Sequence, residues 1–221
     1  MSEKKKHLFT YPGEATDVTW DRRLCIHVGE CGRAANELFV GGRDPWCDPD
    51  RVGEDEVLEV VERCPTGALF AHPKRDDAAR ERAPAENVVH VANNGPLYLH
   101  GDLAIDAAPD DAPGLAFRAA LCRCGASANK PFCDNSHEKI AFHDRGAVGE
   151  KGPGCERDAS GPLKVKRAKN GPLLLKGPFA IVAASGRVAW RGHSAALCRC
   201  GASGNKPFCD GSHSKQGFEA D

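Results

Sequence analysis

Three cysteines and a histidine recur twice in this chain at one spacing, C-x-C-x8-C-x3-H. They are Cys122, Cys124, Cys133 and His137, then Cys198, Cys200, Cys209 and His213. Thiolate and imidazole are soft and borderline metal donors, and four of them complete a tetrahedral site. A C-x-C pair places two sulfurs of one extended loop on one metal, or on one iron of a cluster. A Cys and a His four residues apart share a face wherever the chain turns helical, so they can grip a second metal together. Two residues beyond the third cysteine stand Asn135 and Gly211, the residue types most tolerant of left-handed backbone, which predicts a sharp turn between Cys and His. On spacing alone a zinc knuckle and an iron–sulfur site stay equally open, although C-x2-C pairs are the usual form in structural zinc sites.

The elements that must position these ligands are duplicated with them. AALCRCGASANKPFCDNSH (119–137) and AALCRCGASGNKPFCDGSH (195–213) agree at 17 of 19 positions at a constant offset of 76. Upstream, NGPLYLHGDLAI (94–105) and NGPLLLKGPFAI (170–181) agree at 8 of 12 at the same offset. Both lie in stretches of alternating apolar residues around an Asn-Gly turn signal, 87–105 and 162–181, which predicts strands. The repeated unit is therefore a set of strands leading into a metal loop. Two repeats are too few for a solenoid but enough for a pseudo-symmetric pair, the single-chain equivalent of a two-fold dimer. The glycine-rich stretch 143–161 reads as the connector between them, and Cys155 within it as a free thiol.

CDGSH at 209–213, preceded by LCRCGAS and NKPF, resembles the iron–sulfur motif of the CDGSH (NEET) family. CDNSH at 133–137 departs from it at one position, by the residue that a left-handed turn tolerates best. With its strands the resemblance covers roughly half the chain. It implies a [2Fe–2S] cluster in each set, with Cys122 and Cys124 on one iron and Cys133 and His137 on the other. Cys198, Cys200, Cys209 and His213 divide in the same way. A neutral imidazole in place of a thiolate leaves the cluster one unit less negative and raises its reduction potential. The imidazole can also be protonated, with an unperturbed pKa of about 6.5. We therefore expect clusters that are labile to mild acid and able to couple electron and proton uptake.

A different cysteine pattern precedes the repeats. Cys25 and Cys31 form C-x5-C, and Cys64 is followed by Pro65. This is a ferredoxin run with its middle slot emptied, Val28 standing where another cysteine would be. Three thiolates suit a [3Fe–4S] cluster, or a [4Fe–4S] cluster with an unusual fourth ligand, for which His27 and Cys47 are the candidates. Each also has a plainer reading: a capping or hydrogen-bonding role for His27, a small buried hydrophobe for Cys47. CIHVGEC, DPWCDPD and RCPTGAL together resemble the divergent single-cluster 4Fe–4S domain that often accompanies CDGSH motifs. Around them ATDVTW (15–20) predicts a strand, GEDEVLEVVERC (53–64) an amphipathic helix stopped by Pro65, and ALFAH (68–72) a returning strand. The fold class expected is α+β. A small ferredoxin-like unit occupies 1–75, a charged linker 73–87, and β-rich CDGSH repeats 87–142 and 160–221 pack as one pseudo-dimer.

Composition narrows the function. The net charge is −1, from 30 basic and 31 acidic residues, so no overall field points to nucleic acid or to an anionic membrane. No apolar run is long enough for a signal peptide or a membrane span, and Lys4–Lys6 read as a frayed, solvated tail. Eleven cysteines without a leader suggest metal-bound thiolates in a reducing cytoplasm. No GxGxxG fingerprint follows a strand and no nucleophile–base set is present, which suggests a carrier more than an enzyme. Trp20, Trp46 and Trp190 read as packing residues. Arg123, Arg199, Lys130 and Lys206 read either as charge offsets beside the clusters or as solvated surface. The leading expectation is a monomeric electron-transfer protein with a redox protein as partner. A cluster donor to an apo acceptor, or a redox/pH sensor, is the second. A zinc-stabilised interaction module is the third.

Overall fold

The computed structural model describes residues 6–34, 36–155 and 161–221. Lys4 and Lys5 of the expected tail, and residues 156–160 of the expected connector, lie outside them. Strands β1 (Leu8–Tyr11), β2 (Thr16–Asp21) and β3 (Leu69–Pro73) form an antiparallel sheet in that order, with helix α1 (Glu54–Glu62) beside it. Glu54, Asp55 and Glu56 occupy the first turn of α1, where the positive end of the helix dipole favours them. Val57, Val60 and Val61 are buried against Val18, Leu69 and Ala71 of the sheet. The helix expected over 53–64 thus forms over its central nine residues. The strands expected at 15–20 and 68–72 are β2 and β3; the edge strand β1 was not anticipated.

The second sheet joins the two repeats. The first contributes β4 (Val88–Val91), β5 (Leu97–His100), β6 (Leu103–Ile105) and β7 (Arg118–Leu121). The second contributes β8 (Leu163–Arg167), β9 (Leu173–Val182) and β10 (Val188–Leu197). The order is β6-β8-β9-β4-β5-β7, with β10 also on β9. Two pairings are parallel: β4 with β9, where Val88 faces Ala180, and β6 with β8, where Lys164 faces Ala104. At the repeat offset Ala180 corresponds to Ala104 and Val88 to Lys164, so the second pairing is the first with its partners exchanged. Each repeat lends a strand to the other, and the pseudo-two-fold follows. Leu97, Leu121, Leu163, Leu173, Ile181 and Leu197 are fully buried in the shared core.

The N-terminal sheet is fastened to this core and does not hang from a tether. Leu24 and Ala68 belong to the same buried cluster as the repeat strands. Gly67, at φ +71, lies where a Cβ would stand 2.4 Å from the Arg118 carbonyl oxygen, so it accepts no larger residue. Arg118, from β7, donates to the carbonyls of Val61 (2.8 Å) and Leu69 (3.0 Å) and to that of Cys64. Its Nε pairs with Glu81 at 2.6 Å, both side chains only 3% exposed. Glu81 lies in the stretch read as a charged linker, which this buried ion pair pins in mid-course.

Breaking such a pair from one side leaves a buried charge without a partner, at a cost of about 3–5 kcal/mol. Arg118→Ala is expected to lower stability by that order in denaturant unfolding, and to speed trypsin cleavage at the exposed Arg80 and Arg82 by freeing the backbone around Glu81. An unchanged unfolding midpoint would contradict this assignment.

Candidate metal centres

In both repeats a strand delivers the first cysteine and a backbone clasp sets the third beside it. Leu121 and Leu197 end β7 and β10, and Cys122 and Cys198 follow at once. Cys122 N–H donates to the Pro131 carbonyl (2.8 Å), and Cys133 N–H donates to that of Ala120 (2.9 Å). Cys198 with Pro207, and Cys209 with Ala196, repeat the clasp at 2.7 and 2.9 Å. Asn135 (φ 66) and Gly211 (φ 86) then take the predicted left-handed turn. They lead into single helical turns, α2 (Ser136–Lys139) and α3 (Ser212–Lys215), which carry the histidines. Asp134 accepts from the N–H groups of Ala128 and Ser136, and Asp210 from those of Gly204 and Ser212. These carboxylates tie the turn to the preceding loop, a role that the motif's spacing did not reveal.

The donors face one another in pairs. Cys122 and Cys124 Sγ are 3.7 Å apart, as are Cys198 and Cys200. Cys133 Sγ lies 3.4 Å from His137 Nδ1, and Cys209 Sγ lies 3.3 Å from His213 Nδ1. Among the described residues no three His, Cys, Asp or Glu side chains converge as the ligands of one ion would. Two pairs suit a two-iron cluster, each iron taking two protein donors. Nδ1 is the ring nitrogen presented in both copies.

Burial dominates the titration of most of these thiols. Burial pushes the Cys133 thiol up to about 11, against the opposing N–H of Asn135, and raises Cys209 against that of Gly211. Cys122 is lowered to about 6 by the Cys124 thiol and by the N–H groups of Ser127, Gly125 and Cys124 aimed at it. In the second copy burial dominates and raises Cys198, although Ser203 and Gly201 oppose it. N–H groups aimed at buried sulfurs favour the thiolate, and ligation by a metal would displace the protons that burial retains. The residues present fit an iron–sulfur cluster. It would be held by Cys122, Cys124, Cys133 and His137, and a second by Cys198, Cys200, Cys209 and His213.

Two further features frame these loops. Gly125 (φ +85) lies where a Cβ would be 2.5 Å from the Cys200 carbonyl oxygen, and Gly201 (φ +82) where one would be 2.6 Å from that of Cys124. The two C-x-C loops therefore cross at the pseudo-two-fold. Arg123 and Arg199 are 1% exposed, so the solvated-surface reading does not hold for them. Arg123 donates to the Gly95 carbonyl (2.8 Å) and pairs with Asp144 (2.6 Å). Arg199 donates to Gly171 (2.9 Å) and Asp221 (2.6 Å) carbonyls. Each clamps its repeat's hairpin turn to the chain leaving the helical turn. Lys130 and Lys206 donate to the Ser127 and Ser203 carbonyls at 2.5 and 2.6 Å.

The N-terminal cysteines surround a cavity of about 320 Å³. Cys25, Cys31 and Cys64 line it, together with Trp20, Trp46 and Ile26. Burial and the neighbouring Cys64 push the Cys31 thiol up. The two fourth-ligand candidates part company here. His27 lines the cavity, at φ 52 and exposed at its rim. Cys47 does not line it; it is fully buried with Val57, Val60 and Leu69, and burial pushes its thiol up to about 12. Trp20 and Trp46 meet edge to face at 5.6 Å on the cavity wall. Trp190 packs on Phe179 and Phe208, and Cys155 is exposed. Tyr98, unremarked in the sequence, is pushed up to about 12 by burial, with charge on Cys133 and Cys64 adding to the effect.

Comparison with known proteins matches this arrangement. The profile described as "iron-binding zinc finger CDGSH type" matches residues 94–138 and 170–214. The profile described as "divergent 4Fe-4S mono-cluster" matches residues 11–73. The chain is also similar to the uncharacterized protein YjdI of Escherichia coli, in strain K12 and in O157:H7. In both it is 42% identical over 59 residues, which is 27% of this chain and 78% of theirs.

The placement of His213 Nδ1 makes its chemistry testable. His213→Cys replaces a protonatable donor with a thiolate. It is expected to slow acid loss of the second cluster, read as visible absorbance after a drop to about pH 5, below the unperturbed imidazole pKa. Unchanged acid lability would refute that role.

Proposed function

We propose that this chain, which belongs to the CDGSH-type iron-binding family and carries a divergent 4Fe–4S mono-cluster domain ahead of its paired repeats, is an electron carrier. In this reading it holds two [2Fe–2S] clusters, each on three cysteines and one histidine. A third cluster, [3Fe–4S] or [4Fe–4S], sits on Cys25, Cys31 and Cys64, with His27 at the rim as the candidate fourth ligand. The supporting observation is that the N-terminal unit is packed on the paired repeats: Leu24 and Ala68 lie in the buried cluster of the repeat strands, and Cys25 and Cys64 pack against it, which holds the donor sets near one another. Such proximity serves electron transfer. The histidine ligand moves the potential of each CDGSH site upward relative to an all-cysteine site.

The partner is a redox protein, the working form a monomer with its internal pseudo-dimer, and the setting the cytoplasm. No described helix is long and apolar enough to cross a membrane. A second reading, donation of a cluster to an apo acceptor, draws on one observation: Cys200, Cys209 and His213 are all partly exposed.

Cycles of reduction and reoxidation separate the two. A carrier regains its full visible spectrum after each cycle and gives up no iron when mixed with an apo ferredoxin. Movement of cluster to the apo ferredoxin faster than loss to a chelator would overturn the carrier reading in favour of the donor.

A further inference from the structure

The metal loops of the two repeats are nearly identical in sequence, yet their surroundings differ at corresponding residues. Asn135, where the second repeat has Gly211, donates from Nδ2 to the Ile26 carbonyl at 2.7 Å. Ile26 directly follows Cys25 in the N-terminal ligand loop. Asn129 adds a second bond, from Nδ2 to the Arg23 carbonyl at 2.7 Å, on the other side of Cys25. Beneath these bonds Ile26 is buried with Ala120 and Cys133, and Val28 and Tyr98 pack against them. Cys133, a cluster ligand, is thus in one apolar contact with the loop that carries two others.

The second repeat has none of this cover. Nothing lies within 4 Å of where a Cβ on Gly211 would stand. Leu174, the counterpart of Tyr98, is 38% exposed. Asn205, the counterpart of Asn129, donates instead to the Glu150 carbonyl of the connector. Cys124 and Cys133 are buried where Cys200 and Cys209 are partly exposed.

We infer that the two CDGSH sites are inequivalent by construction: Asn135 and Tyr98 fasten the N-terminal cysteine loop over the first site, making it the internal neighbour of the N-terminal site and leaving the second as the outward end. Asn135 is a positioning residue. It occupies the left-handed slot that glycine fills in the second copy, and uses the side chain that glycine lacks to hold the neighbouring ligand loop. The inference rests on the reading that all three sites bind clusters.

The test uses the full chain with its clusters. Loss of visible absorbance to a chelator is expected in two phases, the slow one from the first repeat. Asn135→Gly should speed the slow phase about tenfold, the worth of one hydrogen bond within a buried contact. Tyr98→Leu, which copies the second repeat, should act in the same direction. Leu174→Tyr should leave the fast phase unchanged, because Leu174 is exposed and no N-terminal loop faces it. In EPR of the reduced protein, spin coupling to the N-terminal cluster should broaden one [2Fe–2S] signal only, and Asn135→Gly should narrow it. A fully loaded protein with one release rate and two uncoupled signals overturns this inference and leaves the cluster reading standing. A protein that binds no iron overturns the cluster reading itself.

Discussion

At the middle of the tandem domain two loops run into each other's backbone. The glycine after each C-x-C pair leaves only enough room for the carbonyl of the other repeat's second cysteine, so Gly125 and Gly201 can be nothing larger. Beside them the parallel pairings of β4 with β9 and of β6 with β8 tie each repeat's strands to the other's. Neither repeat can close its sheet alone, and neither metal loop can shift without pushing on its twin. The position of every CDGSH ligand depends on this reciprocal contact.

The N-terminal unit is added to that frame by different means. Its ligand loops rest on apolar residues of the first repeat, Leu24 and Ala68 being part of the shared core. Specific direction comes from polar side chains that reach across: Arg118 to the end of α1, Arg23 to Asp111, Asn129 and Asn135 to the backbone around Cys25. Apolar contact alone would permit sliding, whereas these bonds fix the register. The metal loops of the two repeats differ in their cover where the N-terminal unit docks, and Asn135 and Tyr98, which replace glycine and leucine of the second copy, lie at that contact.

Much of this was legible in the sequence. The ligand spacing, the duplicated strands and the turn-forming Asn135 and Gly211 are local signals, and local signals survive translation into structure. So do the valines of α1, spaced at i, i+3 and i+4. The exchange of strands between repeats was not legible, since β4 and β6 have the same pattern whichever partner they take. Arg118 and Glu81 look like ordinary surface charges in the chain; only their meeting across 37 residues makes them a buried pair. Arg123 and Arg199 were similarly opaque, because an arginine beside a cysteine says nothing about which carbonyls it will find. Cys47 and His27 could be separated only once the cavity was visible.

The central claim is the proposal that this chain carries two four-donor clusters of three cysteines and one histidine, and a third cluster on the N-terminal cysteines. Mössbauer spectroscopy of the full chain enriched in iron-57 tests it most directly, because it counts clusters and distinguishes irons by their ligands. The account predicts two [2Fe–2S] equivalents, each with one all-sulfur iron and one iron carrying a nitrogen donor, together with the spectrum of one [3Fe–4S] or [4Fe–4S] cluster. A single class of isolated, mononuclear iron, or a chain that takes up zinc in place of iron, would contradict it.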